Sequence, residues 1–176
     1  GASPLHRAAD AMCTETVELL IRHGAEVNAH MWDDIGMTPL YSAVTQIRYD
    51  VVQLLLHWGA DVDVQGYTPL HKAADVGHMA MMKIFIQHEP KLMTARDSYG
   101  LTPLHCAVKR NKEITEFLVN LGADVDARGA ELDSPLHLAA HHGAVRAAEL
   151  LIKRGAQIDA CDKSLATPLY LLGTGD

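Results

Sequence analysis

The chain has 176 residues, of which 48% are hydrophobic but only 5% aromatic, and it carries a formal net charge of −7. That acidity argues against a nucleic-acid backbone or an anionic membrane surface as the main partner. No apolar run approaches a membrane span, no signal-peptide pattern opens the chain, and the three cysteines are too irregularly spaced for a disulfide framework. Reduced Cys13, Cys106 and Cys161 fit an intracellular protein, cytoplasmic or nuclear. The charge is uneven: residues 1–89 hold 5 Lys/Arg against 11 Asp/Glu, and residues 90–176 hold 10 against 11.

One four-residue phrase returns six times in chain order. It reads Ser3-Pro4-Leu5-His6, Thr38-Pro39-Leu40-Tyr41, Thr68-Pro69-Leu70-His71, Thr102-Pro103-Leu104-His105, Ser134-Pro135-Leu136-His137 and Thr167-Pro168-Leu169-Tyr170. The intervals are 35, 30, 34, 32 and 33 residues. A unit of that length cannot bury its own apolar face, so the copies are expected to stack into an array.

Residues 134–161 illustrate one unit. Ser134 is a helix N-cap type and Pro135 suits the first helical position. Leu136, Ala139 and Ala140 give a narrow apolar face, and Gly143 ends the first helix in the left-handed conformation. Ala147, Ala148, Leu150, Leu151 and Ile152 form the wider stripe of a second helix. Gly155-Ala156 stops it, and Gln157-Ile158-Asp159-Ala160 reads as a short extended stretch into the next unit.

This pattern resembles the ankyrin repeat. The features that carry it are His71-Lys72-Ala73-Ala74 with Gly77-His78, Leu54-Leu55-Leu56 with Gly59-Ala60-Asp61-Val62-Asp63, and Gly122-Ala123-Asp124-Val125-Asp126. The resemblance covers essentially the whole chain. It implies an all-α solenoid of stacked helix-turn-helix units, with β-turn fingers at one edge and a concave face. The repeats are expected at about 1–30, 31–65, 66–96, 97–128 and 129–161, with a partial sixth at 162–176. Neither terminal unit has the polar character of a capping repeat, so the chain is expected to be an excerpt of a longer protein.

Departures from the pattern follow the chain. Met31-Trp32 lengthen the finger before Asp33-Asp34-Ile35-Gly36, whereas Asp63-Val64-Gln65-Gly66-Tyr67 is three residues short. A long finger beside a stub makes a step near Trp32 and Tyr67, and aromatics are common interface anchors. In repeat three Glu89-Pro90 replaces Gly-Ala, so proline is expected to stop that helix, and Met79, Met81 and Met82 read as core fill. Repeat four lacks one residue between Asn111 and Glu113.

Eleven histidines raise the question of chemistry. The resemblance gives His6, His71, His105 and His137 a structural role, bonding finger backbone. His137 and His141 have metal-ligand spacing, but Leu138-Ala139-Ala140 between them supplies no general base. His105-Cys106 are adjacent, so their side chains point apart on a helix. No glycine-rich phosphate loop is present. No catalytic, cofactor-binding or metal residue is expected, and no cofactor. The resemblance does imply one modification candidate: Asn28, with Leu20 eight residues before it and Glu26-Val27 beside it, matches the site of an asparaginyl hydroxylase. The other repeats carry Met93, Asp63, Asp126 and Asp159 there, and the alternative is that this side chain stabilises its own turn.

The expected function is non-catalytic protein–protein interaction by a monomeric array, with no nucleic-acid partner and no membrane insertion. By the resemblance the binding stripe comprises Asp10 and Ala11; Trp32, Asp34, Ile35, Met37, Thr45 and Gln46; Tyr67, Asp75 and Val76; Ser98, Tyr99, Leu101, Lys109 and Arg110; and Glu131, Asp133, His141 and His142. The alternative is a regulatory or substrate-recruiting part of a larger enzyme, ubiquitin-ligase adaptor or pathogen effector.

Overall fold

The computed structural model describes residues 1–11, 13–31, 37–62, 67–109 and 112–171. The helices come in pairs. The first of each pair are α1 (Pro4–Asp10), α3 (Pro39–Thr45), α5 (Pro69–Val76), α7 (Pro103–Ala107) and α9 (Pro135–His141). The second are α2 (Thr14–Arg22), α4 (Tyr49–His57), α6 (Met79–His88), α8 (Lys112–Asn120) and α10 (Val145–Lys153), with α11 (Pro168–Leu171) opening a sixth unit. First helices pack on first helices along the array, α1 on α3 through to α9 on α11, and second helices form the other row. No strand occurs among the described residues. The array is all-α, as expected.

The recurring phrase explains both local folding and stacking. Ser3, Thr68 and Ser134 cap α1, α5 and α9, each hydroxyl accepting the N–H three residues on, while proline occupies the first turn. The histidine closes the box. Its Nδ1 accepts the cap residue's own N–H, at 3.2 Å for His6, 3.2 Å for His71, 3.0 Å for His105 and 3.2 Å for His137. A backbone N–H can only donate, so Nδ1 is unprotonated and Nε2 carries the proton. Nε2 then donates to a carbonyl in the following finger: Met37 at 2.8 Å, Leu101 at 3.0 Å, Asp133 at 3.3 Å and Ala166 at 3.2 Å. All four imidazoles are buried.

The leucine of the phrase supplies the apolar contact. Leu5, Leu40, Leu70, Leu104 and Leu136 are at most 3% exposed, whereas Leu169 is 75% exposed. Met81, Met82 and Phe85 are buried in α6, so the methionine run is core, with Met79 packed against its edge.

Several local expectations need correction. The residues after the second helix are not extended: Ile158-Asp159 form a turn, as do Val27-Asn28 and Val125-Asp126. Proline does stop α6, as expected: it bars Glu89 from helical backbone, and the extended Glu89 leads into a 3-10 turn, Pro90–Thr94. The glycine that ends a first helix also has an exception. Gly77 and Gly143 have φ of 84° and 61°, but repeat two holds Ile47 there at φ 59°. For a β-branched residue that is a strained conformation. The shortened link of repeat four at 110–111, the inserted Trp32 with residues 33–36, and the stub at 63–66 lie outside the described residues.

Three outcomes are expected. Leu104→Ala lowers the stability of the array by about 2–5 kcal/mol in urea denaturation, whereas Leu169→Ala costs less than about 0.5 kcal/mol; equal losses contradict the stacked packing. Ile47→Gly raises stability by about 1 kcal/mol, because relief of the left-handed strain exceeds the entropic cost of glycine; a lower melting temperature refutes that account. The third outcome concerns pH. Burial first of all holds the His105 pKa below its ordinary value of 6.5. The unfolded chain therefore binds more protons than the folded one below that value, and stability is full above it and falls as pH drops through it. The urea midpoint should fall between about pH 7.5 and 5.5, and less steeply in His105→Gln.

Candidate functional site

The fingers are built by short backbone ladders. In the fourth repeat the Asp97 N–H donates to the Leu101 carbonyl at 2.9 Å, and the Gly100 N–H donates to the Asp97 carbonyl at 2.9 Å. The Asp97 carboxylate accepts the Tyr99 and Leu101 N–H groups at 2.8 and 2.9 Å. The sixth finger repeats this, Asp162 accepting from Ser164 and Ala166 at 2.8 and 2.9 Å. The fifth, Gly129 to Asp133, has the same ladder with Gly129 in place of the aspartate.

Neighbouring fingers are laced together. The Ala130 N–H donates to the Tyr99 carbonyl at 2.7 Å, and the Lys163 N–H to the Glu131 carbonyl at 2.9 Å, where Lys163 Nζ also lies 3.2 Å from Glu131 Oε1. Gly100 permits the first contact: a Cβ there would come within 2.8 Å of the Ala130 nitrogen. Two arginines extend the lacing along the finger bases, Arg96 donating to the Arg128 carbonyl and Arg128 to the Cys161 carbonyl. Asn28 and Asp126 act the same way. Their side-chain oxygens accept the N–H groups of Asp61 and Gln157 in the next repeat, each at 2.8 Å. At Asn28 and Asp126 the side chain thus reaches the next repeat, while in repeat four Asp124 accepts the Asp126 N–H of the turn at 3.0 Å.

At the finger tips large apolar groups are exposed beside the polar Ser98, Glu131, Lys163 and Ser164. Tyr99 is 72% exposed, Leu132 43% and Leu165 82%. Leu132 and Leu165 have φ of 61° and 62°, at the finger position where Gly100 stands in repeat four. Sequence reasoning missed both leucines. Their signal was a large apolar residue in a glycine position of the finger.

The expected stripe divides by placement. Thr45, Gln46, Val76, Ser98, Tyr99, Glu131, His141 and His142 are exposed, as is Ala11. Asp10, Met37, Asp75, Leu101, Lys109 and Asp133 are half-buried. The carbonyls of Met37, Leu101 and Asp133 are already used by histidines, and that of Asp10 accepts from Arg48 Nε at 3.2 Å. Tyr67 lies below the tips, half-buried and stacked on His71 at 5.4 Å between ring centroids, and burial raises its hydroxyl pKa. Trp32, Asp34, Ile35 and Arg110 lie outside the described residues. At the opposite end of the units, Lys109 and His142 line one cavity of about 460 Å³, joined by Lys112 and Arg146, two residues the sequence reading did not select.

The candidate chemical groups are engaged structurally. Burial pushes the Cys106 thiol up to about 12, which keeps it protonated at neutral pH. Both nitrogens of His105 and of His137 are bonded within the fold, so neither can add a metal or a nucleophile's proton without breaking a cap. Among the described residues no three His, Cys, Asp or Glu side chains gather as a metal site, and no helix is long and apolar enough to cross a membrane.

Comparison with known proteins agrees with the architecture. The family model for ankyrin repeats in three copies matches residues 1–66 and 59–129, and the single ankyrin repeat matches residues 131–163. Human Rabankyrin-5 is 32% identical over 152 residues, covering 84% of this chain and 10% of that protein. The transient receptor potential cation channel subfamily A member 1 of Drosophila melanogaster is 31% identical over 155 residues, covering 85% of this chain and 10% of the channel. A probable 26S proteasome regulatory subunit, p28 of Saccharomyces cerevisiae, is 34% identical over 90 residues, covering 50% of this chain and 40% of that subunit. With capped helix pairs, laced fingers and family matches along nearly its whole length, the chain belongs to the ankyrin-repeat family.

Proposed function

We infer that this array is a non-catalytic protein-interaction module that holds a partner protein on its finger tips and on the groove formed by the first helices. The observation that supports this best is the finger edge of the last three units. Tyr99, Leu132 and Leu165 are held out to solvent on backbone fixed by ladders and cross-finger bonds. Exposed large apolar groups on a rigid support match what an interface anchor requires, because little ordering entropy remains to be lost on binding. Left-handed leucines add to the argument. Each costs about 1–2 kcal/mol of backbone strain without any core contact to offset it.

The groove residues Thr45, Gln46, Asp75, Val76, Lys109, His141 and His142 would set selectivity around that edge. The reading is of a monomeric intracellular module whose partner is another protein. Asn28 keeps its candidacy for hydroxylation, although its side-chain oxygen is engaged with Asp61. The relatives favour a second reading at the level of the parent molecule. Rabankyrin-5 and the fly channel are matched over only a tenth of their lengths, which suits an array that recruits or regulates for a larger protein.

The test is an affinity pull-down with this chain, read by mass spectrometry, followed by surface plasmon resonance with the captured protein. Tyr99→Ala with Leu165→Ser should weaken binding by about 2 kcal/mol or more, mainly through faster dissociation. Gln53→Ala with Gln87→Ala, exposed on α4 and α6 and neutral in charge, should bind as wild type. Loss in the second pair alone would put the partner on the second helices of repeats two and three and overturn the proposed site.

A further inference from the structure

The charge asymmetry of the sequence acquires a location in the fold. Between the fourth and fifth repeats, residues at the ends of α7 and α9 and the starts of α8 and α10 line an open cavity of about 460 Å³, among them Lys109, Lys112 and Arg146. A second cavity of about 260 Å³ shares Lys112 and Arg146 with the first and adds Lys153 and Arg154. The two form one trough that starts at the turns away from the fingers and runs between α8 and α10 to the C-terminal end of α10. Three carboxylates also line it, Glu113 in the first cavity and Glu116 and Glu149 in the second. Yet none of the five cations lies in an ion pair: the salt bridges among the described residues are Arg22–Glu18 and Lys163–Glu131. In a chain of net charge −7, a trough with five cations against three anions is a local reversal of sign.

Cations that serve only solubility are usually interspersed with, and drawn toward, the surface carboxylates around them. Here they gather around a concavity in an acidic molecule, where low-dielectric walls focus their field on whatever enters. We propose that this trough, built on Lys109, Lys112 and Arg146, docks an acidic segment of the partner protein through its carboxylate or phosphate groups. This rests on the protein-interaction reading and extends it from the finger edge to the second helices of repeats four and five. The partner's anionic segment would be attracted to repeats four and five and repelled from the acidic first half. The same gradient therefore sets the direction in which the partner lies along the array. Arg146 suits bidentate contact with a carboxylate or phosphate, and the lysines act as mobile point charges beside it. A nucleic acid would be held poorly, since its many phosphates would also meet the acidic repeats.

The experiment uses the whole chain and fluorescence anisotropy with four probes: an oligoglutamate peptide, a phosphoserine peptide, a neutral oligoglutamine peptide and a single-stranded oligonucleotide. At least one anionic peptide should bind and the neutral one should not; which one binds identifies carboxylate or phosphate as the recognised group. Lys112→Glu with Arg146→Glu should weaken that binding at least about tenfold, and the milder Lys112→Gln with Arg146→Gln should weaken it less but measurably. Arg7→Glu with Lys91→Glu makes the same change in net charge on exposed residues elsewhere and should alter binding less than about twofold. Added salt should narrow the gap between wild type and the trough variants. Equal losses in the trough and control pairs, failure of both anionic peptides, or tighter binding of the oligonucleotide would overturn the proposal. A pull-down that yields a finger-edge partner while the peptides fail would sink this inference and leave the protein-interaction reading standing.

Discussion

A neutral imidazole with its two nitrogens in opposite roles is what converts a run of similar helix pairs into one body. In His6, His71, His105 and His137 the acceptor nitrogen completes the cap of its own helix, and the donor nitrogen reaches the next finger. Each bond across the repeat boundary thus depends on a bond inside the repeat, since the cap fixes the tautomer. Buried polar groups satisfied in this paired manner specify geometry more than they add net stability. Apolar stacking of the motif leucines supplies the favourable energy, and the histidines fix the register in which it is gained.

That dependence explains why tyrosine can replace histidine at Tyr41 and Tyr170 only with a change of role. Tyr41 keeps the first half of the arrangement, its N–H bonding to Thr38 Oγ1 at 3.3 Å, but has no ring nitrogen to accept the cap residue's N–H. The finger that follows repeat two is also the shortened one, at residues 63–66. Loss of the histidine tie and loss of finger length therefore fall on the same boundary. Within repeat three, Tyr67 stacks on His71, so an aromatic face covers the start of α5 beside the imidazole's two hydrogen bonds.

Much of this was legible in the residues. The Ser/Thr-Pro-Leu-His phrase names a cap, a first-turn proline, a core contact and a polar tie in four letters, so repeat number, helix pairing and the buried methionines could be read directly. What was not legible depended on neighbours. Ile47 reads as one more apolar residue until the backbone places it where Gly77 and Gly143 stand. Leu132 and Leu165 carry no mark of their own in the sequence, and only exposure together with φ separates them from core leucines. Tyr67 was grouped with the exposed aromatics, yet its position beside His71 draws it halfway into the fold. Arg96, Arg128, Asn28 and Asp126 bond to residues 31 to 33 positions away, a relation that no local window contains.

The finger edge and the trough now look physically different, and the difference bears on how a partner would be recognised. The finger edge holds exposed apolar anchors on a bonded backbone, suited to contacts that form late and hold, since their energy comes from shape and exclusion of water. The trough at repeats four and five is cationic and open, suited to early, long-range attraction that salt weakens. Placed on one stack, these surfaces can act in sequence: charge orients an incoming chain along the array, and the anchored side chains then decide whether it stays. Repeats four, five and the opening of six are bonded in turn through imidazole and finger backbone, so the distance between the two surfaces is set there by the fold. A partner must match that span as well as each surface, so selectivity would arise from the spacing of two modest sites instead of the strength of either one.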